Sequence, residues 1–157
     1  VLVDEFKNAS NILGVRSSNI FLFEYDVRVF NEKRQSILQD LILLRERIDP
    51  ELVFIPASSD IHQDHSTIYN EGKRAFKFSS ILGYEMPWNN LSFETSSFIF
   101  LKEKYIDLKV KALKEYKSQV HRPYSNEEFI RSLARTRGTQ INTHYAEAFE
   151  VIRWILK

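Results

Sequence analysis

The strongest constraint on this chain is that its hydrophobic period changes along its length. Short apolar runs alternate with longer stretches in which apolar residues recur every three or four positions. Ile20-Phe21-Leu22-Phe23, Leu52-Val53-Phe54-Ile55, Ile81-Leu82-Gly83-Tyr84 and Ser97-Phe98-Ile99-Phe100-Leu101 read as strands. Continuous apolar strands, rather than alternating ones, belong in a sheet covered on both faces. The stretches from Val3 to Leu13, Glu32 to Ile48, Asp64 to Phe78, Lys102 to Ser118, Asn126 to Arg137 and Ala146 to Ile155 carry helical spacing. Gly14 and Pro50 follow two of them as stop signals. The order predicts an α/β fold with a mostly parallel sheet and helices on both faces. A helix comes first, which such a fold rarely begins with, so the pattern leads us to expect a further strand in front of Val1.

Length and composition narrow the choice. The 157 residues suit one domain, and 43% of them are apolar, enough for a real core. Lys and Arg outnumber Asp and Glu by 22 to 21, so no nucleic-acid partner is indicated. Without cysteine there is no disulfide, thiolate zinc site or cysteine nucleophile. The four glycines, Gly14, Gly72, Gly83 and Gly138, are too scattered for a phosphate-binding loop. No G-x-S-x-G elbow is present. No apolar run approaches a membrane span, so the expectation is a cytoplasmic protein, with a homo-oligomer possible. The sole methionine is Met86, and the opening Val1-Leu2-Val3-Asp4 is neither signal peptide nor tag, which suggests a missing upstream segment.

In open α/β sheets, ligands bind beyond the carboxyl ends of strands. The run Leu52–Ile55 leads through Pro56 and a polar loop to Asp60-Ile61-His62-Gln63-Asp64-His65. Two histidines and two acids in six residues form the densest ionisable cluster in the chain. Imidazole ligates zinc and titrates near neutrality, and carboxylates ligate or orient it. The plainer reading is a solvated loop in which Asp64 or Ser66 caps a helix. A catalytic zinc takes three protein ligands, so a third would have to come from elsewhere; on composition alone His121 and His144 are candidates.

These residues resemble the second signature of the LmbE/PIG-L-like N-acetyl-sugar deacetylases. Other stretches resemble the same family. They include Glu5 with Ala9 and Leu13-Gly14-Val15, then Ile81-Leu82-Gly83-Tyr84-Glu85 and Pro87-Trp88-Asn89-Asn90. Further along are Lys111 to Gln119, Arg135-Thr136-Arg137-Gly138 and Tyr145 to Glu150. The resemblance covers nearly the whole chain. It implies a Rossmann-like fold, a single zinc and N-acetylated amino-sugar substrates, often N-acetylglucosamine joined to another group. It places His65 on the zinc-ligand histidine and His62 on the histidine that stabilises the oxyanion and helps protonate the leaving amine. It places Asp64 on the acid that orients that histidine; for Asp60 it implies only a part in shaping the loop.

The family's first signature, a His-Pro-Asp-Asp stretch carrying two further zinc ligands and the general base, has no counterpart in these 157 residues. The expectation is that it lies upstream of Val1, in a single domain incomplete at its N-terminus. Alone, the chain should then bind zinc poorly and be inactive. The rival expectation is a non-catalytic, metal-free binding or assembly module that retains the fold.

Gln119, Arg122 and Arg137 are the candidate substrate-binding residues, since planar multidentate donors suit sugar hydroxyls or phosphate. The arginines could equally cap helices or pair with Glu127, Glu128 or Glu147. Tyr84, Trp88, Asn89 and Asn90 are open between a sugar-facing wall and packing, and Arg28 is similarly open.

Overall fold

The computed structural model describes residues 1–156. Five helices, α1 (Leu2–Ile12), α2 (Arg34–Ile48), α3 (Gln63–Ala75), α4 (Glu103–Lys114) and α5 (Glu127–Gln140), accompany four strands, β1 (Leu52–Pro56), β2 (Ser80–Tyr84), β3 (Ser97–Leu101) and β4 (Tyr145–Arg153). The strands are hydrogen-bonded in the order β1-β2-β4-β3. The α/β reading therefore holds. β1 and β2 run parallel, whereas β4 lies antiparallel to β2. No helix among the described residues is long and apolar enough to cross a membrane.

The chain forms two compact units, and β4 contributes to both. One comprises Val1–Phe23 and Phe98–Glu147; the other comprises Glu24–Ser97 and the residues from Ala148 onward. The first unit is built around Ile106 and Val110 of α4, Ile130 and Ala134 of α5, and Tyr145. α1 sends Glu5 inward: its carboxylate accepts from the Ser118 backbone N–H at 2.9 Å and from Ser118 Oγ at 2.6 Å. That anchor fixes the turn at Lys117–Gln119, where the chain has already left α4, four residues before the helix end expected at Ser118.

The second unit carries the loop singled out above. Leu38 of α2, Ile55 of β1, Ala75 and Phe76 at the end of α3, and Ile81 of β2 form its core. α2 stops at Asp49, which adopts a left-handed φ of 47° just before Pro50. Arg45 donates to the Ala75 carbonyl at 2.9 Å and Arg153 to the Phe76 carbonyl at 3.2 Å. Two cations thus satisfy the C-terminal end of α3, where the helix dipole favours them.

Two element expectations fail. Ala146 to Ile155 is not helical; Tyr145–Arg153 is a strand. The Ala and Glu residues of Ala146–Glu150 are weak strand formers, and pairing with β2 overrides their local propensity. Neighbours Tyr145 and Ala146, like Ala148 and Phe149, are both buried. Successive strand residues face opposite sides, so burial of both erases the alternation and imitates a helical stripe. Ile20–Phe23, expected as a buried strand, forms no strand, and Leu22 and Phe23 are exposed. An apolar run becomes a strand only with a ladder partner, and the order of the four strands includes none for it.

A Cβ at Gly83 would lie 2.9 Å from the Ala57 Cα. Gly83→Ala should therefore cost about 1–3 kcal/mol, read as a lower urea midpoint with an unchanged m-value. Glu5 has a pKa below its ordinary value because the Ser118 hydroxyl and then the Ser118 N–H hydrogen-bond the charged form. Its contribution is present above the unfolded-state pKa and is lost as pH falls through the lower folded-state value. The stability gap between the wild type and Glu5→Gln should be widest near neutrality and close in that acid window, measured by denaturation across pH.

Candidate active site

The loop after β1 is held in place before any functional side chain enters it. Absence of a side chain at Gly83 lets Ala57 pack against β2, and Glu150 of β4 accepts from the Ser58 N–H at 2.7 Å. From the other side, Asp60 forms a β-bridge with Asn90. The Ile61 N–H donates to the Asn89 carbonyl at 3.2 Å, and the Asn90 amide donates to Ser59 Oγ at 3.1 Å. Asn90 also accepts from the Met86 N–H at 2.6 Å. Its side chain is therefore used to join two loops, the packing alternative of the two open for it.

Asp60 is the centre of the loop. Its side chain is only 1% exposed. Oδ1 accepts from the His62 N–H at 2.8 Å, and Oδ2 meets His65 Nδ1 at 2.7 Å. An ionised carboxylate only accepts, so in the neutral imidazole Nδ1 of His65 is the donor and Nε2 is the nitrogen that keeps its lone pair. This is the arrangement by which a carboxylate orients a metal-binding imidazole. The Asn89 amide lies 3.5 Å from the same Nδ1. Burial, with the charge of Asp60 adding to it, pushes the nearby Tyr84 hydroxyl pKa up.

His62 is the N-cap of α3. Its Nδ1 accepts from the Asp64 N–H at 3.2 Å, which puts the ring proton on Nε2. The His62 and His65 rings stack, with centroids 4.4 Å apart and planes at 27°. The plainer expectation of a helix cap is thus met by His62 rather than by Asp64 or Ser66. The Asp64 carboxylate accepts from the backbone N–H groups of Arg28 at 2.6 Å and Phe30 at 3.4 Å. One helix turn pair further along, Glu71 is wholly buried between Arg34 and Arg74, each 2.6 Å away. Asp64 and Glu71 are seven residues apart and share the face of α3 that receives residues 28–34.

The substrate-binding candidates belong to the other unit. Gln119 donates to Ser118 Oγ at 3.2 Å, and the Arg122 N–H donates to the Gln119 carbonyl at 2.9 Å. Arg137 donates to Gln140 Oε1 at 3.0 Å. Glu127 pairs with Lys114 and Arg131, and Glu147 pairs with Lys109. Of the further histidines, His121 is exposed, and His144 Nδ1 accepts from Arg135 at 2.7 Å. Among the described residues no group of three or more His, Asp or Glu side chains is arranged to hold a metal. A catalytic zinc takes three protein donors, and such a set is not found among the described residues.

Sequence reasoning missed the bond from Asp60 to His65 and the charge cluster at Glu71. The Asp60-x-His62-x-x-His65 spacing held a signal for the first, since an acid just ahead of a helix start readily reaches back-facing groups in its first turn. For Glu71 the seven-residue spacing from Asp64 was the available clue.

No family model matches the chain. The protein named Uncharacterized deacetylase YaiS of Escherichia coli (strain K12) is 36% identical over 120 residues, 73% of this chain and 64% of that protein. The chain thus spans 64% of that relative's length. Among solved structures, N,N'-diacetylchitobiose deacetylase from Pyrococcus horikoshii superposes with a TM-score of 0.70 at 19% identity, over 96% of this chain and 62% of that one. The zinc-inhibited form of teicoplanin deacetylase Orf2 gives 0.71 at 16% identity, over 99% and 74%. A 4-carboxy-2-hydroxymuconate hydratase from Pseudomonas putida KT2440 gives 0.68 at 17% identity, over 99% and 72%. At these identities the structures speak for the fold, and the hydratase among them shows that fold alone does not set the reaction. The Asp60–His65 signature, the fold and the deacetylase relative together make this chain similar to the LmbE/PIG-L-like deacetylases.

Proposed function

We propose that these residues form the histidine-bearing part of a zinc-dependent N-deacetylase acting on an N-acetylglucosamine-type sugar or glycoconjugate in the cytoplasm. The observation that carries this reading is His65, whose Nδ1 is held by buried Asp60 so that Nε2 is left as a free donor. The deacetylase name of the E. coli relative and the chitobiose and teicoplanin deacetylases among the structural neighbours support the reaction class.

In this reading His65 Nε2 is one zinc ligand, and zinc when bound polarises the acetyl carbonyl and acidifies water. The general base and the other ligands come from donors outside these residues. His62 keeps a proton on Nε2 because Asp64 N–H occupies Nδ1, so it is the hydrogen-bond donor for the oxygen on which charge develops. Its expected second task, protonating the leaving amine, needs the imidazolium, whose Nδ1–H would meet the Asp64 N–H. The hydrogen bonding therefore favours the oxyanion task. Gln119, Arg122 and Arg137 remain the proposed contacts to sugar hydroxyls.

The test uses the full-length protein that carries this sequence, with zinc content and amine release from N-acetylglucosamine conjugates measured together. His65→Ala should lose stoichiometric zinc; zinc retained in full would contradict the ligand assignment. His62→Ala should keep zinc while kcat falls by roughly 10²–10³. Equal loss of zinc and turnover there would show that His62 is a ligand. Asp60→Asn should weaken zinc affinity by about 10–100-fold in a competition titration, and an unchanged affinity would remove Asp60 from the site.

A metal-free binding module is the second reading, favoured by the lack of a three-donor group among the described residues. Full-length protein that binds N-acetylglucosamine conjugates but takes up no zinc and releases no amine would establish it.

A further inference from the structure

Arg28 is a non-glycine residue with a φ of 70°. The left-handed region costs an ordinary side chain energy and persists where surrounding structure imposes it. Here the imposing groups are visible. The Arg28 N–H donates to Asp64 Oδ2 at 2.6 Å, and its carbonyl accepts from the Gln63 side-chain amide. Phe30 N–H completes the hold on Asp64 Oδ1. Both peptide groups of Arg28 are thus pinned by the two residues that lie between His62 and His65 in the sequence.

Asp64 is buried, so a buried carboxylate is committed to fixing one turn of backbone. Arg28 itself is exposed, and among the described residues its guanidinium makes no ion pair or hydrogen bond. Glycine or asparagine would meet the conformational demand of this turn at less cost. This strained position is held through its backbone by the residues between His62 and His65, and it carries an exposed arginine where a smaller residue would suffice.

We infer that Arg28 is a specificity residue that receives an oxyanion, phosphate or carboxylate, on the group attached to the amino sugar. A guanidinium fork matches such groups with two parallel charge-assisted hydrogen bonds. Asp64 and Gln63 are positioning residues in this account, acting through the backbone of Arg28. The inference rests on the deacetylase reading for its substrate class, but binding can be read without turnover.

The experiment measures binding and kcat/KM for N-acetylglucosamine, its 1-phosphate and N-acetylmuramic acid in the full-length protein, wild type and Arg28→Gly. Glycine tolerates the positive φ, so the variant should fold with an unchanged or raised Tm. The wild type should prefer at least one anionic sugar. Arg28→Gly should cut the anionic-to-neutral ratio by roughly 10–100-fold, mainly through KM, with Arg28→Lys intermediate. Preference for the 1-phosphate alone, or for the muramic acid alone, names the oxyanion. A wild type with no anionic preference, or a ratio unmoved by Arg28→Gly, would overturn the inference. Arg28-dependent anion binding without amine release would keep it and instead sink the deacetylase reading.

Discussion

The loop between β1 and α3 is organised by the buried carboxylate of Asp60. Asp60 sits where the chain leaves β1 and before it enters α3, and each oxygen has its own partner. One fixes the His62 N–H and so the start of the helix; the other fixes the His65 ring one turn in. A buried charge left unpaired costs several kcal/mol, so the two contacts are mutually required rather than decorative. The side chain that shapes the loop is therefore also the one that sets which nitrogen of His65 is free.

The rest of the second unit holds that carboxylate in place. Gly83 allows the backbone at Ala57 to approach β2, Glu150 takes the Ser58 N–H, and Asn90 links the loop to the 86–90 segment. α3 carries the site at its N-terminal end and is fixed at the other end by Arg45 and Arg153. Along its side, Asp64 and Glu71 grip residues 28–34. Rigid elements thus position the histidines, which is the condition for preorganised electrostatics.

The sequence made much of this legible. The apolar run Leu52–Ile55 followed by Asp60-x-His62-x-Asp64-His65 located a strand end with ionisable groups beyond it, and both were found there. Strands at Ser80–Tyr84 and Ser97–Leu101 were readable from composition alone. β4 was not, because burial of adjacent residues on both faces removed the period on which strand reading depends. Ile20–Phe23 misled for the opposite reason: an apolar run says nothing about whether a ladder partner exists. The division of labour between Asp60 and Asp64 was also hidden. Both are acids in one hexapeptide, and only backbone direction decides that one meets a ring and the other a distant turn.

Heteronuclear NMR of the imidazole nitrogens in the full-length protein tests the central claim most directly. The account predicts that His65 carries its proton on Nδ1, with Nε2 aprotic and shifting when zinc is added, and that Asp60→Asn disturbs this tautomer. A proton on Nε2 of His65 in the zinc-free wild type, or a zinc-induced shift on Nδ1, would contradict it.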